Sequence, residues 1–124
     1  MSTALEIGTQ LVQKFNNEGG EACVDALYAD DVVSIEGQGT EEMPARMEGV
    51  DAIRGKNQCW YANNEVHSTS ATGPFVGHRD DQFVVRFHLD VTPIGGERMQ
   101  MAEVGLFTVK DGKVAQEEFL YLMG

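Results

Sequence analysis

Three glutamates and one histidine are the side chains of this sequence best suited to proton transfer. Glu36 ends a short apolar run just before a glycine-containing loop, and Glu103 and Glu117 lie in two long alternating runs near the C-terminus. His67 lies in a further run predicted to be a strand. A carboxyl group against an apolar wall has a raised pKa, and histidine titrates near neutral pH. The sequence therefore predicts acid–base chemistry at Glu36, His67, Glu103 and Glu117.

Each of these side chains also has a plain structural interpretation. Glu36 is also typical of a solvated carboxylate at a strand end, with Val33 and Ile35 forming the buried face. His67 is equally typical of a hydrogen-bonded histidine in the core or at its rim, although it shares a face with inward positions if the strand alternates regularly. For Glu103 and Glu117 the alternatives are contact with solvent or pairing with an arginine.

The final hairpin decides whether Glu103 and Glu117 share a face. A two-residue turn at Asp111-Gly112 turns Glu117 outward, whereas a turn over residues 110–112 ending in a left-handed glycine shifts the register by one. We favour the second register, which pairs Glu103 with Phe119, because it gathers the bulkiest apolar side chains on one face. Two acids then point into an apolar concavity, where repulsion keeps one protonated.

Aromatic and methionine side chains are candidates for the walls of a ligand site. Aromatic rings supply large apolar areas, tyrosine adds a hydroxyl that orients a ligand, and methionine adapts to irregular shapes. The same residue types are common in ordinary cores, and that interpretation stays open. The candidates are Tyr28, Met47, Trp60, Phe87, Met101, Phe107, Phe119 and Tyr121.

Helices are predicted mainly in the first half of the chain and strands in the second, which favours an α+β fold. Thr3 and Glu6 form a capping box that begins the first helix, and Gly19-Gly20 ends it. The other predicted helices span residues 21–29 and 50–61. Predicted strands span residues 32–36, 65–71, 82–91, 98–109 and 113–122. With 124 residues, we expect one domain over residues 1–124.

Composition narrows the classes of function. The net charge of −11 disfavours nucleic acid and anionic membrane surfaces as partners. The two cysteines, which we expect to be buried or half-buried thiols, show no metal-type spacing, and no glycine-rich phosphate loop follows a strand. We therefore expect neither a metal nor a nucleotide cofactor. No signal peptide is recognisable at the N-terminus, so we expect a cytoplasmic protein.

Four stretches carry a resemblance to a known superfamily. Residues 27–32 (LYADDV), 48–53 (EGVDAI), 73–76 (GPFV) and 107–114 (FTVKDGKV) resemble the nuclear transport factor 2-like superfamily, which contains ketosteroid isomerases and SnoaL-like polyketide cyclases. The resemblance covers nearly the whole chain. It implies a cone in which three N-terminal helices pack in a curved, mainly antiparallel mixed sheet, with a pocket at the wide end.

The resemblance also bears on individual residues. It places Glu36 where ketosteroid isomerases keep their general base, but it places Val12 and Gly105 where they keep their oxyanion donors. A base without these donors leaves a developing enolate unsupported, which argues against a steroid isomerase proper. The outer sheet face is expected to carry Val104, Leu106, Val114 and Leu120. Members of the superfamily commonly dimerise through that face, so we expect a homodimer there.

We therefore predict a SnoaL-like protein that binds a small apolar organic molecule. In the catalytic version, Glu36 is the base, and His67 with Glu103 or Glu117 supplies an acid or orients the ligand in an isomerase, cyclase, dehydratase or hydrolase. In the alternative, the same cone is a ligand-binding or dimerisation module without catalysis.

Overall fold

The computed structural model describes residues 3–41 and 44–121. Three helices and six strands follow one another in these ranges. They are α1 (Ala4–Glu18), α2 (Gly20–Leu27), β1 (Tyr28–Ile35), β2 (Arg46–Glu48), α3 (Val50–Asn63), β3 (Asn64–Phe75), β4 (Gln82–Pro93), β5 (Met99–Lys110) and β6 (Lys113–Tyr121). Leu122, the last residue of the final predicted strand, lies outside the described residues. None of the described helices is long and apolar enough to cross a membrane.

The predicted capping box begins α1. The Thr3 side chain accepts a hydrogen bond from the Glu6 backbone N–H and occupies the N-cap position. Gly19 ends the helix with a φ of 95°, a conformation that glycine adopts without strain. The buried positions Ile7 and Leu11 recur at helical spacing and join the core. Local sequence therefore defines both ends of α1 and the face it buries.

The six strands form one mixed sheet in the order β2-β1-β6-β5-β4-β3. β1 and β6 run parallel, and all other neighbours are antiparallel. The short strand β2 lies in the stretch of residues 37–48 that follows Glu36, where only a loop was predicted. Pairing of the first strand with the last brings residues from both ends of the chain together, and this is what assembles the site described below.

β1 does not bury the face that carries Val33 and Ile35, as the alternative interpretation of Glu36 required; it buries the opposite face. Val32 and Ser34 are buried, at 0% and 1% exposed, and the next residue of this parity is Glu36. On the neighbouring strands, Phe83 and Phe107 stack with ring centroids 4.9 Å apart and form the centre of the core. Glu36 therefore points toward the interior side of the sheet.

The last hairpin differs from the favoured register. Asp111 and Gly112 have φ values of 55° and 76°, typical of a two-residue type I′ turn, and Lys110 pairs with Lys113. A bulge then leaves Ala115 without a partner, because Val109 pairs with Val114 but Thr108 pairs with Gln116.

The bulge shifts the pairing of β6 by one residue and restores the faces predicted for its acids and aromatics. Glu103 pairs with Tyr121 rather than Phe119, so the favoured register is wrong by two residues. A two-residue shift keeps every side chain on its face, because side chains alternate along a strand. Val114, expected on the outer face, is instead fully buried in the core.

Candidate functional site

A cavity of about 520 Å³ lies between the inner face of the sheet and the helices. Its walls combine aromatic rings with four glutamates and one lysine. All the predicted site residues except His67 line it: Tyr28, Glu36, Met47, Trp60, Phe87, Met101, Glu103, Phe107, Glu117, Phe119 and Tyr121. The volume is in the range of sites for small organic molecules.

Lys56 is the centre of the polar network in this cavity. Its Nζ donates hydrogen bonds to Ser34 Oγ at 2.7 Å and to Glu36 Oε1 at 2.8 Å, and lies 3.8 Å from Glu117 Oε1. The same ammonium lies 5.0 Å from the centroid of the Phe119 ring. The lysine side chain is only 13% exposed, so these charges interact in a poorly solvated environment.

Glu117 is the most deeply buried acid of the site, at 3% exposed. Burial raises the pKa of its carboxyl group, while nearby Lys56 and hydrogen bonds from Tyr28 and Ser34 lower it. The Tyr28 hydroxyl donates to Glu117 Oε2 at 2.7 Å. Burial and the neighbouring carboxylate in turn raise the pKa of Tyr28 well above its ordinary value. Glu117 is thus held in place on several sides.

Glu36 lies between a lysine and a tyrosine. Its Oε1 accepts from Lys56, and its Oε2 accepts a short hydrogen bond from the Tyr121 hydroxyl. Burial, followed by the effect of Glu36, raises the pKa of Tyr121, which therefore stays protonated and donates. Both contacts stabilise the charged form of Glu36. The side chain of Glu36 remains 24% exposed, more than that of Glu117.

Glu103 is the acid of the site without a partner of its own. It makes no hydrogen bond or ion pair within residues 3–41 and 44–121, and in the sheet register it lies between Phe87 on β4 and Tyr121 on β6. Burial, with a further contribution from Glu36, raises the pKa of Glu103 to about 7. This carboxyl group therefore exchanges its proton near neutral pH.

His67 does not line the cavity. A bulge in β3 lies between Val66, which pairs with Val91, and Ser68, which pairs with Asp90. The bulge breaks the alternation on which the inward orientation of His67 depended. Its side chain is exposed and its Nε2 lies 2.7 Å from the Thr92 hydroxyl. The expected inward orientation of His67 is therefore wrong.

Lys56 is the site residue that the sequence analysis missed. Ile53, Lys56 and Trp60 follow one another at helical spacing on α3, and Ile53 is fully buried while the other two line the cavity. The apolar row of α3 is the signal that places a lysine on the inner face. The arginines considered as partners of the acids bind elsewhere, since Arg46 pairs with Glu48 and Arg98 with Asp90.

The two cysteines differ in their surroundings. Cys23 is buried, and burial raises the pKa of its thiol to about 11. Cys59 is exposed, contrary to expectation. Across the described ranges, no cluster of three or more His, Cys, Asp or Glu side chains is arranged to hold a metal ion. The cavity lining itself presents carboxyl, ammonium, phenol and thiol groups.

Comparison with known proteins identifies the family. The SnoaL-like domain matches residues 3–121 of this chain. A Mesorhizobium loti protein, provisionally described as a SnoaL-like polyketide cyclase and also with the words carbohydrate phosphatase, is 40% identical. Its structure aligns with a TM-score of 0.84 over 94% of this chain and 97% of its own. Among curated proteins, none matches the sequence.

More distant structures share the fold alone. A provisionally described polyketide cyclase from Pseudomonas putida KT2440 is 16% identical, with a TM-score of 0.70 over 99% of this chain and 94% of its own. A protein of ketosteroid isomerase-like fold from Catenulispora acidiphila, solved with trimethylamine, is 18% identical, with a TM-score of 0.69 over 95% and 86%. The predicted α+β cone with its mixed sheet is therefore confirmed.

Proposed function

Because the chain belongs to the SnoaL-like domain family, we propose that it binds a small, largely apolar organic molecule and moves a proton within it. The reaction would be of the isomerase, cyclase, dehydratase or hydrolase type. The observation that carries this proposal is a pair of acids, Glu36 and Glu103, that line one cavity in opposite environments. Two carboxyl groups whose surroundings separate their proton affinities are suited to serve as base and acid.

Glu36 is the proposed base. Its Oε1 accepts a hydrogen bond from Lys56 and its Oε2 accepts one from the Tyr121 hydroxyl. These contacts also fix the orientation of the carboxylate, so that an incoming C–H or water proton meets it in a defined geometry. Lys56 and Tyr121 are positioning residues in this scheme.

Glu103 is the proposed acid. With a pKa of about 7, a large fraction of this group carries a proton at neutral pH and can donate it to a carbonyl, an epoxide or a leaving hydroxyl. Glu117 is assigned a structural role, because its oxygens are occupied by Tyr28, Ser34 and Lys56. His67 has no part in the proposal, since it lies outside the cavity.

A phosphate ester fits this cavity poorly. Four glutamates line it against the single ammonium of Lys56, and excess negative charge repels a phosphate group. We therefore propose no phosphatase activity for this chain, although the description of the Mesorhizobium protein contains the words carbohydrate phosphatase.

The test uses Glu36→Gln, which keeps the size of the side chain and removes its basicity. The parent protein, Glu36→Gln and a control with an exposed glutamate changed, Glu97→Gln, are assayed against enolisable ketones and small epoxides, with binding measured separately. We expect turnover by the parent and Glu97→Gln, and loss of about 100-fold or more in Glu36→Gln with binding retained. Equal turnover by parent and Glu36→Gln contradicts the assignment.

The second candidate function is ligand binding without catalysis. The observation that favours it concerns Glu36: both of its carboxylate oxygens already accept hydrogen bonds, one from Lys56 and the other from Tyr121. A carboxylate whose two oxygens both accept hydrogen bonds from the protein has fewer lone pairs left to accept a proton from a ligand. Absence of turnover by the parent across the whole panel, with binding retained, favours this function.

A homodimer through the outer sheet face also remains a proposal, as does a cytoplasmic location. The outer face presents Leu120, 48% exposed, beside the half-buried Val104 and Leu106. An apolar stripe on a sheet face suits association with a second copy. Light scattering on the parent and on Leu120→Glu tests it, with a change from dimer to monomer as the expected result.

A further inference from the structure

We infer that the ligand of this cavity is an organic cation, an apolar body carrying a protonated amine, and that its ammonium group binds at Glu103 between Phe87 and Tyr121. This inference rests on the proposed function in one respect only, namely that the cavity is the ligand site. An ammonium group bound beside Glu103 favours the ionised carboxylate, so with a ligand of this class Glu103 anchors the cation and does not serve as the acid. It adds a charge to a ligand that the sequence and the family resemblance describe only as small and apolar.

The first argument is the charge of the lining. Glu21, Glu36, Glu103 and Glu117 face the cavity, and Lys56 is the one cationic side chain among the described lining residues. The ammonium group of Lys56 is already paired within the protein, because it donates a hydrogen bond to Glu36 and lies close to Glu117. A cavity with this excess of acid gains electrostatic energy from a cation and loses it to an anion, and the net charge of −11 acts in the same direction from a distance.

The second argument is that the cavity already holds one ammonium group in the manner proposed. Lys56 Nζ lies against carboxylate oxygens on one side and 5.0 Å from the centroid of the Phe119 ring on the other. Carboxylate oxygens supply charge, and an aromatic face adds cation–π attraction in a desolvated site. The surroundings of Glu103 combine the same two elements, with no ammonium of the protein's own.

The third argument is unused hydrogen-bonding capacity. Glu103 accepts no hydrogen bond from any described residue, and Oε1 of Glu21 is buried without a hydrogen-bond partner in the same part of the chain. Buried acceptors normally have donors, so acceptors left free in a cavity indicate donors that arrive with the ligand. A protonated amine brings N–H donors and positive charge together, whereas an alcohol brings one neutral donor.

The walls around Glu103 define the remainder of the ligand. Phe87 and Tyr121 flank it in the sheet register, Met101 lies two residues away on the same face, and Trp60 lines the cavity from α3. These side chains suit an apolar or aromatic body. The ligand class is therefore an arylalkylamine or an amine of similar shape and polarity.

The test compares three probes with the same aromatic body: 2-phenylethylamine, the neutral 2-phenylethanol and the anionic 3-phenylpropionate. Trp60 is the only tryptophan of the chain and lines the cavity, so its fluorescence reports binding directly, with calorimetry as a second readout. We expect the parent at neutral pH to bind the amine about fivefold or more tightly than the alcohol, and the carboxylate weakest.

Variants locate the ammonium group. Glu103→Gln is expected to bring the amine and alcohol affinities to within about twofold of each other, mainly by weakening the amine, because the negative charge is removed and a hydrogen-bond acceptor is kept. Glu97→Gln, which removes an exposed charge, keeps the parent's preference. Circular dichroism confirms that each variant is folded.

The inference is overturned if the parent binds the alcohol as tightly as the amine, if no probe binds, or if Glu103→Gln keeps the preference for the amine. These outcomes are separate from those of the catalytic proposal. A protein that prefers the amine but turns over no ketone or epoxide supports this inference and contradicts catalysis, and turnover without a preference for the amine does the reverse.

Discussion

Lys56 Nζ on α3 lies 2.8 Å from Glu36 Oε1 and 3.8 Å from Glu117 Oε1, so one ammonium group is within ion-pair distance of two carboxyl groups. Glu36 follows β1 and Glu117 belongs to β6, which are the two parallel strands of the sheet. The ion pairs therefore join α3 to the neighbouring strands β1 and β6, where an early and the last described strand of the chain lie side by side. Removal of Lys56 affects both acids at once.

Lys56→Met is expected to destabilise the protein by about 2–4 kcal/mol near pH 8, because two poorly solvated carboxylates lose their counter-ion. Without Lys56, which lowers the pKa of Glu117, the pKa of that carboxyl group in the folded state rises further. The folded state then binds more protons than the unfolded state, so stability falls as pH rises. The loss relative to the parent should therefore be smaller near pH 5. Urea unfolding of both proteins at the two pH values measures this, with the exposed Lys110→Met as control, and an equal loss at both pH values contradicts it.

Glu103→Gln is expected to stabilise the protein at high pH. The pKa of Glu103 rises from 4.5 to about 7 on folding, so its cost is absent below about pH 4.5, grows between these values and is complete above about pH 7. The variant should exceed the parent by on the order of 2 kcal/mol at pH 8 and match it near pH 4. Denaturation midpoints across this range give the difference. Parallel pH profiles for the two proteins would argue against the raised pKa.

Tyr28→Phe and Tyr121→Phe form a matched pair. Each removes one hydroxyl that donates to a glutamate, Glu117 or Glu36 respectively. Glu117 is 3% exposed and cannot recover a donor from solvent, whereas the Glu36 side chain is 24% exposed. We expect a loss of about 1–3 kcal/mol for Tyr28→Phe and a smaller loss for Tyr121→Phe. Thermal unfolding followed by circular dichroism measures both, and the reverse order counts against the burial argument.

Gly105→Ala tests the packing of the cavity floor. A Cβ at this position would lie 2.7 Å from Phe107 Cε2 and 3.2 Å from Phe87 Cε2, so the two rings must move. The expected cost is about 1–3 kcal/mol. Gly55→Ala is the control, because a Cβ there has no neighbour within 4 Å and α3 gains about 1 kcal/mol of helix propensity. Equal stability of the two variants in urea would contradict this view of the floor.

The helices and the faces of the strands could be predicted from the sequence because they depend on local signals. The Thr3 cap, the Gly19 stop and the alternation of β4 and β5 act within a few residues. Most of the cavity-lining residues could be predicted in the same way, since the face on which a strand residue lies determines whether it can line the cavity. The family resemblance added the cone and the position of Glu36.

The errors come from bulges, which leave no clear mark in the sequence. One extra residue at Ala115 and one at His67 shift the alternation, and nothing in the residue types at these points distinguishes them from regular strand. In β6 the two-residue turn and the bulge each shift the pairing by one residue relative to the favoured register. The total shift of two residues leaves Glu117 on its predicted face. In β3 one bulge was enough to place His67 in solvent.

Periodicity alone does not single out Lys56, because Lys56 and Asn57 are both compatible with the row from Ile53 to Trp60, and both line the cavity. The choice of partner depends on tertiary structure. Ser34, Glu36 and Glu117 come within reach of the lysine only when β1 lies beside β6. Helical spacing alone carries no information about that distance.

The tyrosine–glutamate contacts join residues 89 positions apart for Tyr28 and Glu117, and 85 apart for Glu36 and Tyr121. A growing polypeptide on the ribosome that has not yet extruded its final hairpin lacks one member of each pair. Such a chain has its helices and several strands, but Glu36 lacks its phenol donor Tyr121, and Tyr28 lacks its acceptor Glu117. Competence to take up a ligand should consequently arise in a single late step of biosynthesis rather than build up gradually.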